Sequence, residues 1–259
     1  MARKHNPVRY RTIKVAAHLA KGLLVAHMKL FPKVRKSIPH RLPAKRHDLP
    51  EKRIPRIVWQ TNYSDRVTWP VYANFLFNRL MAPEFEYRYH DDEECAAFIA
   101  EHFPGAYHEA FQRLQVGAAK ADFWRILVLL KHGGIYLDID SNFSARPEDV
   151  IAADDEAVFL EMADGQVTNF CLAAAPGHPA VREIADRIVE NINAGRHSCV
   201  YTMTGPIVVQ GVVREFGLPV IDNRALCTQG QFTNKNAQYA ENAHRPWAEE
   251  QELRPILKN

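Results

Sequence analysis

Residues 131–143 read KHGGIYLDIDSNF, a stretch that ends by placing two carboxylates, Asp138 and Asp140, one residue apart. On a strand, positions i and i+2 leave the same face while Ile139 points the other way. Two carboxylates held that close repel unless a cation joins them or one takes a proton. Hard oxygen ligands suit Mg²⁺ or Mn²⁺, which hold few carboxylates and complete their shell with water and substrate phosphates. Asp138 and Asp140 therefore read as a site for a divalent cation and a diphosphate. Tyr136 shares their face and can bring its hydroxyl to the same ligand. The competing reading is a turn in which both acids cap amides or pair with basic neighbours. A bare Asp-x-Asp is common, but this one follows an apolar helix, two glycines and a strand.

A second charged pair comes earlier. Asp122 and Arg125 lie three apart on one face of VGAAKADFWRILVLLKHGG, a helix apolar on nearly every side. They are either a local ion pair or ligand-binding groups. Charge buried in so apolar a helix needs a polar partner.

These groups must be positioned by an alternating chain. IPRIVWQT from Ile54 is a short strand that opens the body. Phe85 to Tyr89 reads as a strand, followed by a helix capped near Asp91 or Asp92. Residues 116–134 form the apolar helix, stopped by Gly133 or Gly134, and IYLDID is the next strand. AVFLEM and FCLAAAP look like further strands, and HPAVREIADRIVENINAG is an amphipathic helix ending at a glycine. Strands alternating with helices imply an α/β domain with one mostly parallel sheet covered on both faces. Ligands of such sheets bind beyond the carboxyl ends of the strands, where the two aspartates fall.

At 259 residues the chain can bury a substantial core, and 47% hydrophobic and 24% charged residues are ordinary for a globular protein. The net charge of +3 hides an asymmetry. Residues 1–53 hold 15 Lys and Arg against Asp48 and Glu51, a balance of +13, and the remainder carries −10. The expected division is a basic N-terminal segment and linker, 1–53, and an α/β body, 54–259. Within the segment, Ile13, Ala16, Ala17, Ala20, Leu24 and Met28 are apolar, with Lys14, His18, Lys21, His27 and Lys29 between them. The longest apolar run, Leu23 to Ala26, is far short of the ~20 residues a spanning helix needs, and no small-residue cleavage site follows. A basic amphipathic helix suits an anionic membrane surface and then places the protein peripherally at the cytoplasmic face; the competing reading is a solvated or loosely docked leader, and nucleic acid is not the expected partner. Cys95, Cys171, Cys199 and Cys227 make no C-x-x-C pair, which fits a reducing compartment. The sequons at Asn62 and Asn142 are taken as chance.

The segment AKADFWRILVLLKHGGIYLDID closely resembles the core of glycosyltransferase family 32, which includes yeast-type mannosyltransferases and many bacterial polysaccharide enzymes. It is also similar to the catalytic core of the large clostridial glucosylating toxins. The shared pattern is Ala-Asp with Arg three residues later, a Leu-rich helix, Gly-Gly, and Tyr-Leu-Asp-x-Asp; looser similarity runs from Ile54 to about residue 247. The resemblance implies a GT-A fold, a nucleotide-sugar donor, a divalent cation, retention of anomeric configuration, and a glycan or lipid-linked acceptor. It makes Asp140 a direct metal ligand and Asp138 a contact to the metal and donor. Asp122 and Arg125 would hold donor-sugar hydroxyls, and Trp59 would stack on the base. Asn169, before the FCLAAAPGHP segment, would touch donor or acceptor. Gly205 in TMTGP would let backbone approach the ligand. His244 in AHRPW would be a third metal ligand, with Trp247 closing over the donor; an Arg-Pro intervenes there, and the spacing is compressed relative to the family.

Two rivals carry different expectations. A phosphohydrolase with an aspartate pair continues with Thr or Val two residues after the second Asp and keeps the motif near the domain start. Here that position is Asn142, and some 85 residues of body precede the pair. A non-catalytic sugar-binding module on the same fold is the other rival, against which the intact Asp-x-Asp, Asp122 and Arg125 stand.

Overall fold

The structure is a computed structural model that describes residues 5–239 and 246–258. The sheet uses strands β1 (Arg41–Leu42), β2 (Ile57–Thr61), β3 (Glu86–His90), β4 (Gly134–Leu137), β6 (Ala157–Glu161), β7 (Cys171–Ala174) and β8 (Val220–Asp222). Its spatial order is β8-β6-β7-β4-β2-β3-β1. Five of the seven run one way, and β7 and the edge strand β1 run against them. Strand β5 (Ser141–Phe143) leaves this sheet and pairs antiparallel with β9 (Cys227–Gln229).

The longer helices are α1 (Pro7–Leu30), α2 (Trp69–Met81), α3 (Asp92–His102), α4 (Gly117–His132), α5 (Pro179–Ala194) and α6 (Pro206–Glu215). Alternation along the strands feeds two cores. Trp59, Tyr136, Phe159 and Leu172 point into the layer made by α3 to α6. Val58, Ile135, Val158 and Ala173 point the other way, onto Val71 and Phe75 of α2. Helices thus cover both faces, as the alternating pattern requires. Asp91 caps α3 in a reciprocal capping box with Glu94, and α5 ends at Gly195 in the left-handed conformation.

The N-terminal segment is part of this body. Helix α1 lies beside α2, with Ala17 fully buried and Ile13, Ala20, Leu24 and Met28 half-buried. The apolar stripe that suggested a membrane face is therefore turned mostly inward. A different set points out: Val8, Val15, Leu19, Leu23 and Leu30 are all exposed and fall within roughly 80° of arc at ~100° per residue. Lys21 ties α1 down by donating to the carbonyls of Gly230 (2.9 Å) and Thr233 (3.3 Å). The linker that follows supplies β1, paired to Tyr87 and Arg88. Among the described residues, no helix is long and apolar enough to cross a membrane.

Candidate active site

Helix α4 is buried along nearly all of its last three turns, from Asp122 to Leu130. It stops because Gly133 adopts a φ of 65° and Gly134 a φ of 103°, which side-chain-bearing residues rarely tolerate. Space forbids a side chain as well. A Cβ on Gly133 would lie 2.7 Å from the Ala174 carbonyl oxygen, and one on Gly134 would lie 2.7 Å from that of Ile57. The two glycines let the chain drop from the helix directly into the centre of the sheet.

The charged groups of α4 converge with the first aspartate of the motif. Arg125 Nη2 lies 3.0 Å from Asp122 Oδ1 and 3.1 Å from Asp138 Oδ1. Its Nη1 donates to the Asn169 carbonyl oxygen at 2.6 Å. Asp122 also accepts from Asn169 Nδ2 (2.9 Å) and Thr204 Oγ1 (3.1 Å). The Tyr136 hydroxyl donates to Asp138 Oδ1 at 2.7 Å, beneath the Arg125 guanidinium 4.5 Å from its ring. Burial pushes the Asp122 carboxyl up to about 6 against the pull of Arg125. Arg125 stays charged: burial works to lower its pKa, but Asp138, Tyr136 and Asp122 hold it above the ordinary arginine value.

The expected strand ends earlier than the sequence suggested. Strand β4 stops at Leu137, and Asp138 to Asp140 form a turn closed by Ser141 N–H donating to the Asp138 carbonyl at 2.9 Å. The ladder with β7 ends at Leu137 opposite Cys171, and the chain must then swing out to join β9. The two carboxylates meet all the same, because the turn is held from behind. Asn74 Nδ2 donates to the carbonyls of Ile139 (2.9 Å) and Ser141 (2.8 Å), and Asn78 Nδ2 donates to Ser141 at 2.8 Å. Gln60 Nε2 donates to the Asp138 carbonyl at 3.1 Å, and Gln60 is itself fixed by the Tyr87 hydroxyl. From the front, Gln229 Nε2 reaches Asp140 Oδ1 (2.9 Å) and Asp138 Oδ2 (3.3 Å). Burial, and then the neighbouring Asp138, push the Asp140 carboxyl up to about 7. Asp138 is also raised by burial, with Arg125 and Tyr136 opposing.

These groups open into a cavity of about 1000 Å³. Asp122, Arg125, Tyr136, Asp138, Asp140, Asn169 and Trp247 all line it. Two sequence-predicted donor contacts lie elsewhere. Trp59 is 1% exposed, donates Nε1–H to the Gly133 carbonyl and stacks on His132, because the strand alternation sends it into the α3–α6 layer. Gly205 is not in the lining; it begins α6, where a Cβ would sit 2.9 Å from the Tyr201 backbone, so the close approach it permits is internal. His244 lies outside the described residues. Asn142 is fully buried, which leaves no room for a glycan on that sequon in the folded chain.

Sequence reasoning missed several residues. Gln60, Asn74 and Asn78 are among them, although three amide side chains on otherwise apolar elements are a signal of buried hydrogen bonding. Thr204 sits inside the TMTGP segment already singled out. Gln229 and Tyr239 lie some 90 and 100 residues from the motif, with no local pattern to mark them. Tyr10, Lys14 and His18 of α1 also line the cavity, so the basic segment forms one of its walls.

A divalent cation is consistent with this donor set. Two carboxylates converge on Gln229, and among the described residues no cationic side chain bridges the two oxygens that face it; the Asp140 carboxyl is raised first by burial and then by Asp138. Among the described residues, no cluster of three or more His, Cys, Asp or Glu occurs. The site therefore offers a hard ion few protein ligands and leaves positions for water and phosphate oxygens, as Mg²⁺ and Mn²⁺ prefer.

Comparison with known proteins agrees with this architecture. The chain is 31% identical over 159 residues to an initiation-specific alpha-1,6-mannosyltransferase of Schizosaccharomyces pombe, covering 53% of this chain and 40% of that one. It is 25% identical over 166 residues to an uncharacterized glycosyltransferase, L373, of Acanthamoeba polyphaga mimivirus, covering 60% and 64%. The chain thus spans less than two-thirds of the length of either relative. Among solved structures, the PaToxG glycosyltransferase superposes with a TM-score of 0.52 at 15% identity, covering 81% of this chain and 80% of that one, a likeness of fold. The family model described as the glycosyltransferase sugar-binding region containing DXD motif matches residues 57–157, from β2 through the aspartate turn to the start of β6. The likeness to the DXD-containing glycosyltransferase sugar-binding region is carried by that stretch, which holds the double glycine, Tyr136, Asp138 and Asp140.

Proposed function

We propose that the protein is a metal-dependent, retaining glycosyltransferase. It moves a hexose from a nucleotide diphosphate sugar to a glycan or lipid-linked acceptor in surface-polysaccharide assembly. The observation that carries this is the convergence of Asp138 and Asp140 in one cavity with the Asp122–Arg125–Asn169 network. Asp138 and Asp140 would hold Mn²⁺ or Mg²⁺, which when bound offsets charge on the diphosphate leaving group. Arg125 and Asp122, locked by Asn169 and Thr204, present fixed polar groups to sugar hydroxyls. Thr168, Thr228 and Gln231 line the cavity, and their buried side-chain oxygens have no hydrogen-bond partner among the described residues, which supports a polar ligand there. Retention is supported by the family resemblance.

The setting is the cytoplasmic face of an anionic membrane. The outward stripe of Val8, Val15, Leu19, Leu23 and Leu30 supports this, because it is bordered by Arg9, Arg11 and Lys29, with no acidic residue before Asp48.

A donor-hydrolysis screen across nucleotide sugars, with and without Mn²⁺, tests the activity; a nucleotide-activated mannose is the first donor to try, given the fission-yeast relative. Turnover of one donor, abolished in Asp140→Ala, supports the transferase. Sugar binding without turnover and without any metal effect would replace it with a binding module.

A further inference from the structure

We infer that Gln229 is a protein ligand of the divalent cation, through its side-chain carbonyl oxygen. This rests on the metal-dependent reading of the aspartate pair and goes beyond it, by naming the third oxygen.

The geometry is specific. The terminal amide of Gln229 stands 2.9 Å from Asp140 Oδ1 and 3.3 Å from Asp138 Oδ2. In an octahedral shell with metal–oxygen distances of about 2.1 Å, neighbouring ligand atoms are about 3.0 Å apart, the octahedral edge. The amide thus already sits at the spacing of a ligand adjacent to both carboxylates. Without a cation, two acceptor carboxylates demand the Nε2 donor at that point. With one, a half-turn about the terminal side-chain bond puts Oε1 there instead, and carbonyl oxygens of Asn and Gln are ordinary ligands of hard cations. The terminal O and N are nearly the same size, so the exchange needs no repacking.

The backbone keeps Gln229 in place. Strand β9 pairs Gln229 with Ser141, and Gly230 N–H donates to the Asp140 carbonyl at 2.9 Å. The ladder ties Gln229 to the second aspartate itself. Among the described residues no third His, Cys, Asp or Glu joins the aspartates, and the Gln229 amide is the group that contacts both of them.

The test is Mn²⁺ binding to the purified full chain without any nucleotide sugar, read by the free-Mn²⁺ electron paramagnetic resonance signal and by titration calorimetry. Gln229→Ala is expected to weaken Mn²⁺ about tenfold or more, and Gln229→Glu, which keeps an oxygen at that reach, to bind at least as tightly as the native chain. Melting curves in EDTA establish that each variant is folded. Native affinity in folded Gln229→Ala overturns the assignment, as does a Gln229→Glu variant as weak as the alanine one. Asp140→Ala separates the two levels. Binding lost there but kept in Gln229→Ala removes Gln229 alone. Binding kept in Asp140→Ala removes the metal site altogether.

Discussion

Arg125 and Asp138 face each other 3.1 Å apart across the junction of a buried helix and a central strand. The same guanidinium is 3.0 Å from Asp122 and donates to the Asn169 carbonyl. Two separate nitrogens held in one plane serve these three oxygens, a spread that the single nitrogen of a lysine does not span. Arg125→Lys keeps the charge and loses the fork. Donor hydrolysis is expected to fall on the order of 100-fold in kcat/KM, with a stability loss of about 2 kcal/mol from the oxygens left unpaired. A variant that keeps native turnover while losing stability would make the arginine a purely structural group.

Asn74 supports the aspartate turn without touching the cavity. One amide nitrogen binds the carbonyls of Ile139 and Ser141, and the residue is fully buried. Asn74→Ala is expected to cost ~1–3 kcal/mol in urea unfolding. It should also weaken Mn²⁺ binding, because the carboxylates lose their fixed backbone. Undiminished affinity in the folded variant would show that the turn holds its shape unaided.

The pH dependence follows from the two raised carboxyls. Asp122 is pushed up to about 6 and Asp140 to about 7, in both cases mainly by burial. Each binds its proton more tightly in the folded chain than in the unfolded one, where carboxyls titrate near ~4. Their contribution to stability is therefore complete below about pH 4 and is lost as pH rises through 6 and 7. The metal-free protein should melt roughly 5 °C higher at pH 5 than at pH 8. Mn²⁺ should stabilise it at pH 8 and do little at pH 5, where protons compete for Asp140. Scanning fluorimetry in EDTA and in Mn²⁺ decides it, and a flat EDTA profile would contradict the burial of these charges.

The outer face of α1 makes a separate prediction. Leu19→Glu with Leu23→Glu should abolish sedimentation with phosphatidylglycerol vesicles and leave donor hydrolysis in solution unchanged. Lys14→Ala, on the cavity wall, should leave vesicle binding intact. Equal binding by the leucine variant would remove the membrane from the proposal.

Much of this architecture was legible in the sequence, for physical reasons. The apolar helix, the double glycine and the acid pair are local, so each leaves its mark within a few residues. The strand alternation placed Tyr136 beside Asp138. What was not legible depended on distant partners. Trp59 could be assigned to the ligand or to the core, and the choice turned on which sheet face the α3–α6 layer covers. The pairing of β5 with β9, 84 to 88 residues away, ended the expected strand early and delivered Gln229. The inward roll of α1 was hidden because the helix has apolar residues on two sides, and only packing against α2 selects between them.

Lys21 gives that helix a mechanical reach. Its ammonium grips the carbonyls of Gly230 and Thr233, immediately beyond Gln229. A bilayer that seized the outer leucines would be pulling, through one side chain, on the end of β9 beside Gln229. Anchoring and ion capture would then be felt by the same few atoms.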